Sequence, residues 1–215
     1  MTSISVNDAA TLAEASYDIA RITSPKRIIS CTHPDVQAHI MEGNILLLPG
    51  SNSLRDYLKY NLRPLRLGHK RLRLKDGGTA KGASGTTWHQ GFLAYAKVVY
   101  DWLDEQNIKP QQIIGHSLGA AAGQILSKSY GVPAIGFAAP RPKLVKGPVK
   151  YDGLCLLINR ADDLVPTLPS GFHHMSKARL LTPPRSQWFS SHKMASYKVT
   201  TKDAQQAGHL PHQWP

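Results

Sequence analysis

Gln111-Gln112-Ile113-Ile114-Gly115-His116-Ser117-Leu118-Gly119-Ala120-Ala121-Ala122 is the stretch from which the rest of the chain is read. A short apolar run at Ile113 and Ile114 ends in Gly-x-Ser-x-Gly, and small residues at helical spacing continue to Tyr130. A strand, a sharp turn and a helix with a serine at the turn's tip take this form. Such a turn strains the backbone at Ser117, so the residues crowding it must be small. Gly115 and Gly119 lack a Cβ, and Ala120, Ala121 and Ala122 let the helix lie close to the sheet. The Leu118 amide would stand at the helix N-terminus, where unpaired N–H groups and the dipole favour a developing anion. Ser117 is therefore a candidate acylated nucleophile. The pattern is short and common, and its meaning depends on a histidine, a carboxylate and a second oxyanion donor elsewhere in the chain.

The 215 residues suffice for a substantial core in one domain. No segment approaches the roughly 18 consecutive apolar residues of a membrane span. Residues 1–20 have neither the basic start nor the apolar run of a signal peptide and carry Asp8, Glu14 and Asp18 instead. The expectation is a cytoplasmic protein, or one released without a signal peptide. Cys155 lies inside the apolar run Leu154-Cys155-Leu156-Leu157-Ile158, so it and Cys31 are expected as buried reduced thiols rather than a disulfide. Lysine and arginine outnumber the acids, 26 to 14, for a formal net charge of +12. They cluster in residues 63–75 and 141–150. Such a surface draws anionic lipid headgroups by long-range attraction, or simply keeps the chain dissolved; both readings stand. No aromatic residues interleave with the basic clusters, which argues against nucleic acid.

Along the chain, Ala9, Leu12, Ala13, Tyr17 and Ala20 share one helical face, which suits a helix begun near Asn7 or Asp8 and stopped at Ser24-Pro25. Short strands are expected at residues 28–31 and 36–40, and a strand buried on both faces at residues 44–48. The turn-rich Pro49-Gly50-Ser51-Asn52-Ser53 follows. Leu54, Tyr57, Leu58 and Leu62 then mark one apolar face of a helix, for which core packing is the simple reading. Residues 64–75 read as a strand or hairpin, and the glycine-rich residues 76–85 as a flexible loop without a phosphate-binding ending. A helix is expected over residues 90–105, and buried strands at residues 134–138 and 154–158. A last helix or turn falls within residues 190–199. Alternating strands and helices predict an α/β fold, a mostly parallel central sheet flanked by helices. The expected organisation is one compact domain over residues 1–200 and a loosely ordered tail over residues 201–215.

A serine hydroxyl needs a base, and the base needs an orienting carboxylate. In an α/β-hydrolase these follow in the order serine, carboxylate, histidine. After Ser117 only Asp162 and Asp163 closely follow an apolar strand. Beyond them stand His173, His174, His192, His209 and His212, with His192 favoured by its place before apolar Met194 and Tyr197. Chemistry alone leaves the choice of aspartate, and His173 or His174 as base, open. The histidine pairs lack the cysteines or carboxylates that would complete a metal site.

Residues 45–197 carry further blocks in a telling order. Leu48-Pro49-Gly50-Ser51-Asn52-Ser53, Thr87-Trp88-His89-Gln90-Gly91-Phe92, the serine turn, Gly136-Phe137-Ala138-Ala139-Pro140-Arg141 and the block from Asn159 to Pro169 succeed one another. Together they resemble the class 3 (fungal-type) lipase family of α/β-hydrolases. The resemblance implies Ser117 as nucleophile and Asp163, directly before Leu164-Val165-Pro166, as the orienting carboxylate. Ser191-His192-Lys193-Met194-Ala195-Ser196-Tyr197 resembles the terminal histidine block, which implies His192 as base. It implies Ser51 and Leu118 as oxyanion-hole residues, and a lid for the helix bearing Leu54, Tyr57, Leu58 and Leu62. Neither metal nor cofactor is implied. The chain departs from the family in having Leu48-Pro49 where Phe-Arg is usual and in lacking disulfide cysteines, and it is expected to be shorter and without a signal peptide. These departures argue against long-chain triglyceride as natural substrate and leave the acyl-ester chemistry untouched. The expectation is a serine carboxylic-ester hydrolase acting on an acyl-ester lipid, with peripheral contact to an anionic membrane surface. An acyltransferase on the same scaffold and a catalytically silent membrane-surface binding protein are the alternatives.

Overall fold

The apolar runs become strands because helices cover both of their faces. The computed structural model describes residues 3–22, 28–50, 78–186 and 190–215, together with the backbone of residues 65–67 and 70–72. The strands up to the serine turn are β1 (Ile4–Ser5), β2 (Ile28–Ser30), β3 (His39–Met41), β4 (Ile45–Leu48), β5 (Leu65–Leu67), β6 (Lys70–Leu72), β7 (Thr79–Lys81), β8 (Thr87–His89) and β9 (Gln112–His116). After it come β10 (Ala134–Phe137), β11 (Cys155–Arg160), β12 (Arg179–Leu181) and β13 (Gln213–Trp214). The helices are α1 (Val6–Ala15), α2 (Gln90–Glu105), α3 (Leu118–Tyr130) and α4 (Met194–Gln206).

The central sheet has seven strands in the order β12-β11-β10-β9-β4-β3-β2. Strands β4, β9, β10, β11 and β12 run parallel, and β3 and β2 extend the sheet antiparallel. Strand alternation divides the core into two layers. Leu46, Leu48, Ile113 and Leu157 point to one face and meet Phe92, Val99, Ala122 and Ile125 of α2 and α3. Leu47, Ile114, Leu156 and Ile158 point to the other and meet Ala9 and Ala13 of α1 and Tyr197 of α4. Each fully buried side chain of this size contributes about 1.5–3 kcal/mol relative to exposure, so covering both faces is what holds the sheet. This is the α/β-hydrolase architecture expected from the sequence.

The differences from the local reading lie at the edges. Helix α1 starts at Val6, one residue early, because the Ser5 hydroxyl accepts from the Asp8 amide at 3.4 Å and caps it. It ends at Ala15, and an Asp18-capped turn of 3-10 helix follows at Ile19–Arg21. Only His39–Met41 of the strand expected over residues 36–40 joins the sheet, since Val36 closes a turn onto the His33 carbonyl. The glycine-rich stretch expected as a loop contributes β7, which pairs with β8 as a hairpin. Both cysteines are reduced, but Cys31 is only half-buried while Cys155 is buried.

The tail is the largest correction. Residues 201–215, expected to be loosely ordered, continue α4 to Gln206 and then form β13, which pairs antiparallel with β1. Leu210 is buried, and Trp214 Nε1 donates to the Leu154 carbonyl at 3.2 Å. Gln112 Nε2 donates in turn to the Trp214 carbonyl at 3.2 Å. A pairing partner at the opposite end of the chain leaves no local periodicity to read.

Helix α3 crosses β4 at backbone contact. A Cβ on Gly119 would lie 2.0 Å from the Leu48 carbonyl oxygen, and one on Gly115 2.7 Å from the Gly119 carbonyl oxygen. Both obstacles are backbone, so no side chain can turn aside. Gly119→Ala is expected to cost about 3 kcal/mol and lower the melting temperature by roughly 6–12 °C. A melting temperature within about 1 °C of wild type, by calorimetry, would contradict this contact.

Candidate active site

Strand β9 delivers Ser117 to the carboxyl end of the sheet in a conformation L-residues rarely adopt, φ 56° and ψ −123°. The Ser117 amide donates to the Phe137 carbonyl at 2.9 Å, and the Ser117 carbonyl accepts from Ala120 and Ala121 at 2.9 and 3.1 Å. Ser117 thus occupies the N-cap of α3, yet its side chain makes no capping bond. The positive φ turns the hydroxyl off the helix axis, where it is free to bond elsewhere. The Leu118 amide is the first of the helix and has no intrahelical acceptor. That geometry can hold an anion beside Ser117 Oγ.

The structure brings Ser117, His192 and Asp163 together from three segments. Ser117 Oγ lies 2.8 Å from His192 Nε2, and His192 Nδ1 lies 2.8 Å from Asp163 Oδ2. With Nδ1–H donating to the carboxylate, Nε2 is left to accept the serine proton. Asp163 stands just beyond β11 and His192 just before α4. Ser117 and Asp163 are buried, and the His192 side chain keeps 19% of its surface exposed.

The two adjacent aspartates have different partners. Arg160 Nε and Nη2 donate to the two Asp162 oxygens at 3.0 and 2.9 Å, and the pair is buried. The remaining Arg160 nitrogen, Nη1, donates to the Ser196 carbonyl at 2.9 Å and to the Thr200 hydroxyl. This pair clasps the start of α4 to the end of β11. Asp163 instead accepts from His192, from the Tyr197 hydroxyl at 2.9 Å and from the Val165 amide at 3.0 Å. Burial first, and the Asp163 charge second, push the Tyr197 hydroxyl well above its ordinary value, so Tyr197 remains a donor. The sequence placed Tyr197 after the histidine but gave it no role. Arg160, two residues before Asp162, was the legible sign of the ion pair.

Two further residues reach the site. Tyr17 Oη lies 2.5 Å from His116 Nδ1 and accepts from the Gly50 amide at 2.7 Å. His116 Nε2 donates to the His192 carbonyl at 3.0 Å. Gly50 lies against the serine, since a Cβ there would come 2.8 Å from Ser117 Cβ. Ser51 and the candidate lid residues Leu54, Tyr57, Leu58 and Leu62 lie outside the described residues. Of the other histidines, His174 donates from Nε2 to the Ala139 carbonyl at 2.8 Å. Among the described residues no cluster of three or more His, Cys, Asp or Glu side chains could hold a metal ion, and no helix is long and apolar enough to cross a membrane.

Comparison with solved structures returns fungal lipases. The Lip2 lipase from Yarrowia lipolytica superposes with a TM-score of 0.57 at 18% identity, over 83% of this chain and 78% of that one. Lipase II from Rhizopus niveus gives 0.53 at 14% identity, over 89% and 86%. The Rhizomucor miehei lipase in its propeptide complex gives 0.50 at 17% identity, over 93% and 79%. At these identities the likeness is one of fold. No protein-family model matches the chain, and no curated protein matches its sequence.

Burial of His116 sets a pH dependence. Desolvation first, and the charge of His192 second, hold its pKa well below the ordinary 6.5, against the opposing bond to the His192 carbonyl. Below pH 6.5 the unfolded chain binds a proton that the folded chain refuses, so this group's contribution to stability falls as pH drops. The slope it adds is at most about 1.4 kcal/mol per pH unit. Melting temperatures between pH 6.5 and 5 should therefore decline less steeply in His116→Gln than in wild type. Equal slopes would contradict a neutral, buried His116.

Proposed function

We propose that this chain is a serine carboxylic-ester hydrolase of the lipase or esterase type, a single hydrolase domain acting on acyl-ester lipids. The observation that supports the reading best is the unbroken hydrogen-bonded line from Ser117 Oγ through His192 to Asp163, starting at a positive-φ serine on a helix N-terminus. In this reading Ser117 Oγ attacks the ester carbonyl while His192 Nε2 takes its proton. Asp163 steadies the resulting imidazolium, and its own position is fixed by Tyr197 and Val165. The carbonyl oxygen, now an anion, takes a hydrogen bond from the Leu118 amide. By resemblance Ser51, which follows Gly50, supplies the second donor; one such donor is worth about a hundred- to a thousandfold in rate. The proton on His192 passes to the leaving alkoxide, giving the acyl-enzyme and the free alcohol. Water, deprotonated by His192, then releases the acid and restores Ser117.

The fold shared with fungal lipases supports the ester-hydrolase reading. The excess of basic residues favours esters with anionic headgroups, such as phospholipids, presented at a membrane surface. The apolar face at Leu54, Tyr57, Leu58 and Leu62 would serve as the lid over the acyl group.

The test is turnover of a short-chain p-nitrophenyl ester by wild type and variants. Ser117→Ala should be inactive, and Asp163→Asn should lower kcat by about ten-thousandfold, the scale for a triad base left in the wrong tautomer. Asp162→Asn should keep kcat within about tenfold but cost roughly 3–5 kcal/mol of stability, because Arg160 stays buried without its counter-charge. A wild type without turnover would remove the enzyme reading. An inactive but stable Asp162→Asn beside an active Asp163→Asn would reverse the carboxylate assignment. A new ester formed when an acceptor alcohol is added would identify an acyltransferase.

A further inference from the structure

The hydrogen bonds linking Gly50, Tyr17, His116 and His192 can be oriented from their two ends. A backbone amide only donates, so Tyr17 Oη accepts from Gly50 N–H, at 2.7 Å. A backbone carbonyl only accepts, so His116 Nε2, 3.0 Å from the His192 carbonyl oxygen, carries a proton. A neutral imidazole then leaves Nδ1 bare, and the Tyr17 hydroxyl, 2.5 Å away, donates to it. The line therefore runs from Gly50 N–H to the Tyr17 oxygen, from Tyr17 O–H to His116 Nδ1, and from His116 Nε2–H to the His192 carbonyl. Every link is a matched donor and acceptor. Any other tautomer of His116 would set two donors or two acceptors against each other.

The ends of this line are the segments that must converge on Ser117. Gly50 touches it directly and immediately precedes Ser51 in the sequence, while His192 bonds its hydroxyl. A residue on Gly50 larger than glycine would strike Tyr17 Oη at 2.6 Å as well as Ser117. Tyr17 itself is 39% exposed, so its ring does little to fill the core, and its bonded hydroxyl is the group that reaches the site. The His116 and His192 rings are 5.0 Å apart, so a charge on His116 would oppose the imidazolium that the reaction forms on His192.

The geometry points to Tyr17 and His116 as positioning residues, an uncharged relay that keeps the segment after β4 and the segment bearing His192 at a fixed separation around Ser117. This rests on the ester-hydrolase reading above. It assigns a task to the N-terminal helix: α1 leads into Tyr17, and through it bears on the geometry of a site whose histidine stands just before α4, the helix packed on the same face of the sheet. Burial of His116 keeps the relay in its working, neutral form.

The test combines kinetics on the p-nitrophenyl ester with a measurement on unaltered protein. Tyr17→Phe removes only the hydroxyl and should lower kcat about tenfold with KM unchanged, since Gly50 N–H and His116 Nδ1 both lose their partner. His116→Leu should lose at least as much, and adding Tyr17→Phe to it should cost much less than it costs in wild type, because the link to His192 is already broken and only the Gly50 bond remains to lose. His116→Gln, which still offers an N–H and a carbonyl, should recover most of the loss. The long-range 1H–15N spectrum of wild type at pH 7 should show His116 as the Nε2–H tautomer, a result that needs no variant to fold. The proposal is overturned by a Tyr17→Phe kcat within about twofold of wild type, by losses that multiply in the double variant, or by an Nδ1–H tautomer. Wild-type turnover tests the hydrolase reading alone, and the variants' ratios to it test the relay.

Discussion

The site depends on how closely helix α3 approaches strand β4. The helix can lie on the strand backbone only because residue 119 has no Cβ, and the chain can turn that sharply only if Ser117 takes a positive φ. The strain, of order 1–3 kcal/mol for a non-glycine residue, is carried by the strands buried on either side of the turn. Three consequences follow from the one contact. The hydroxyl of Ser117 leaves its capping position and meets His192; the Leu118 amide opens toward the same point; and Gly50, two residues past the end of β4, comes against the serine. A looser crossing would separate all three.

Around that turn the buried charges divide their labour by what they bond. Asp163 has three donors on its two oxygens, so it is held in place against His192. The Arg160–Asp162 pair gains little net stability from its burial, because desolvating both ions offsets most of their attraction. Its use is location: it ties β11 to the first turns of α4 through Ser196 and Thr200, and so fixes Tyr197 and the segment that carries His192. The neighbouring aspartates differ in their partners because the turn after β11, closed by the Asp163 amide on the Arg160 carbonyl, sets one carboxylate on Arg160 and the other on His192.

Much of this was legible in the sequence. Continuous apolar runs at residues 45–48, 113–114, 134–137 and 155–158 announced strands covered on both faces, and the glycine spacing around Ser117 announced the turn. The serine–aspartate–histidine order narrowed the partners, and the structure brings Asp163 and His192 to the serine. The choice between Asp162 and Asp163 was closed only by resemblance, although Arg160 two residues earlier was a usable sign. Tyr17 read as one more apolar position on a helical face, because its hydroxyl's partners lie far along the chain. Residues 201–215 read as loose for the same reason: β13 is specified by β1, the first strand of the chain. What local pattern carries is the period of burial, and what it omits is pairing across long sequence separations.

The central claim is that Ser117 forms a covalent acyl intermediate. Peptide mass spectrometry of the protein after reaction with a fluorophosphonate, a phosphorus analogue of the acylating ester, measures this directly. The account predicts one adduct per chain, on the peptide containing Ser117. An adduct on a different residue, or none in a preparation that still hydrolyses ester, would contradict it.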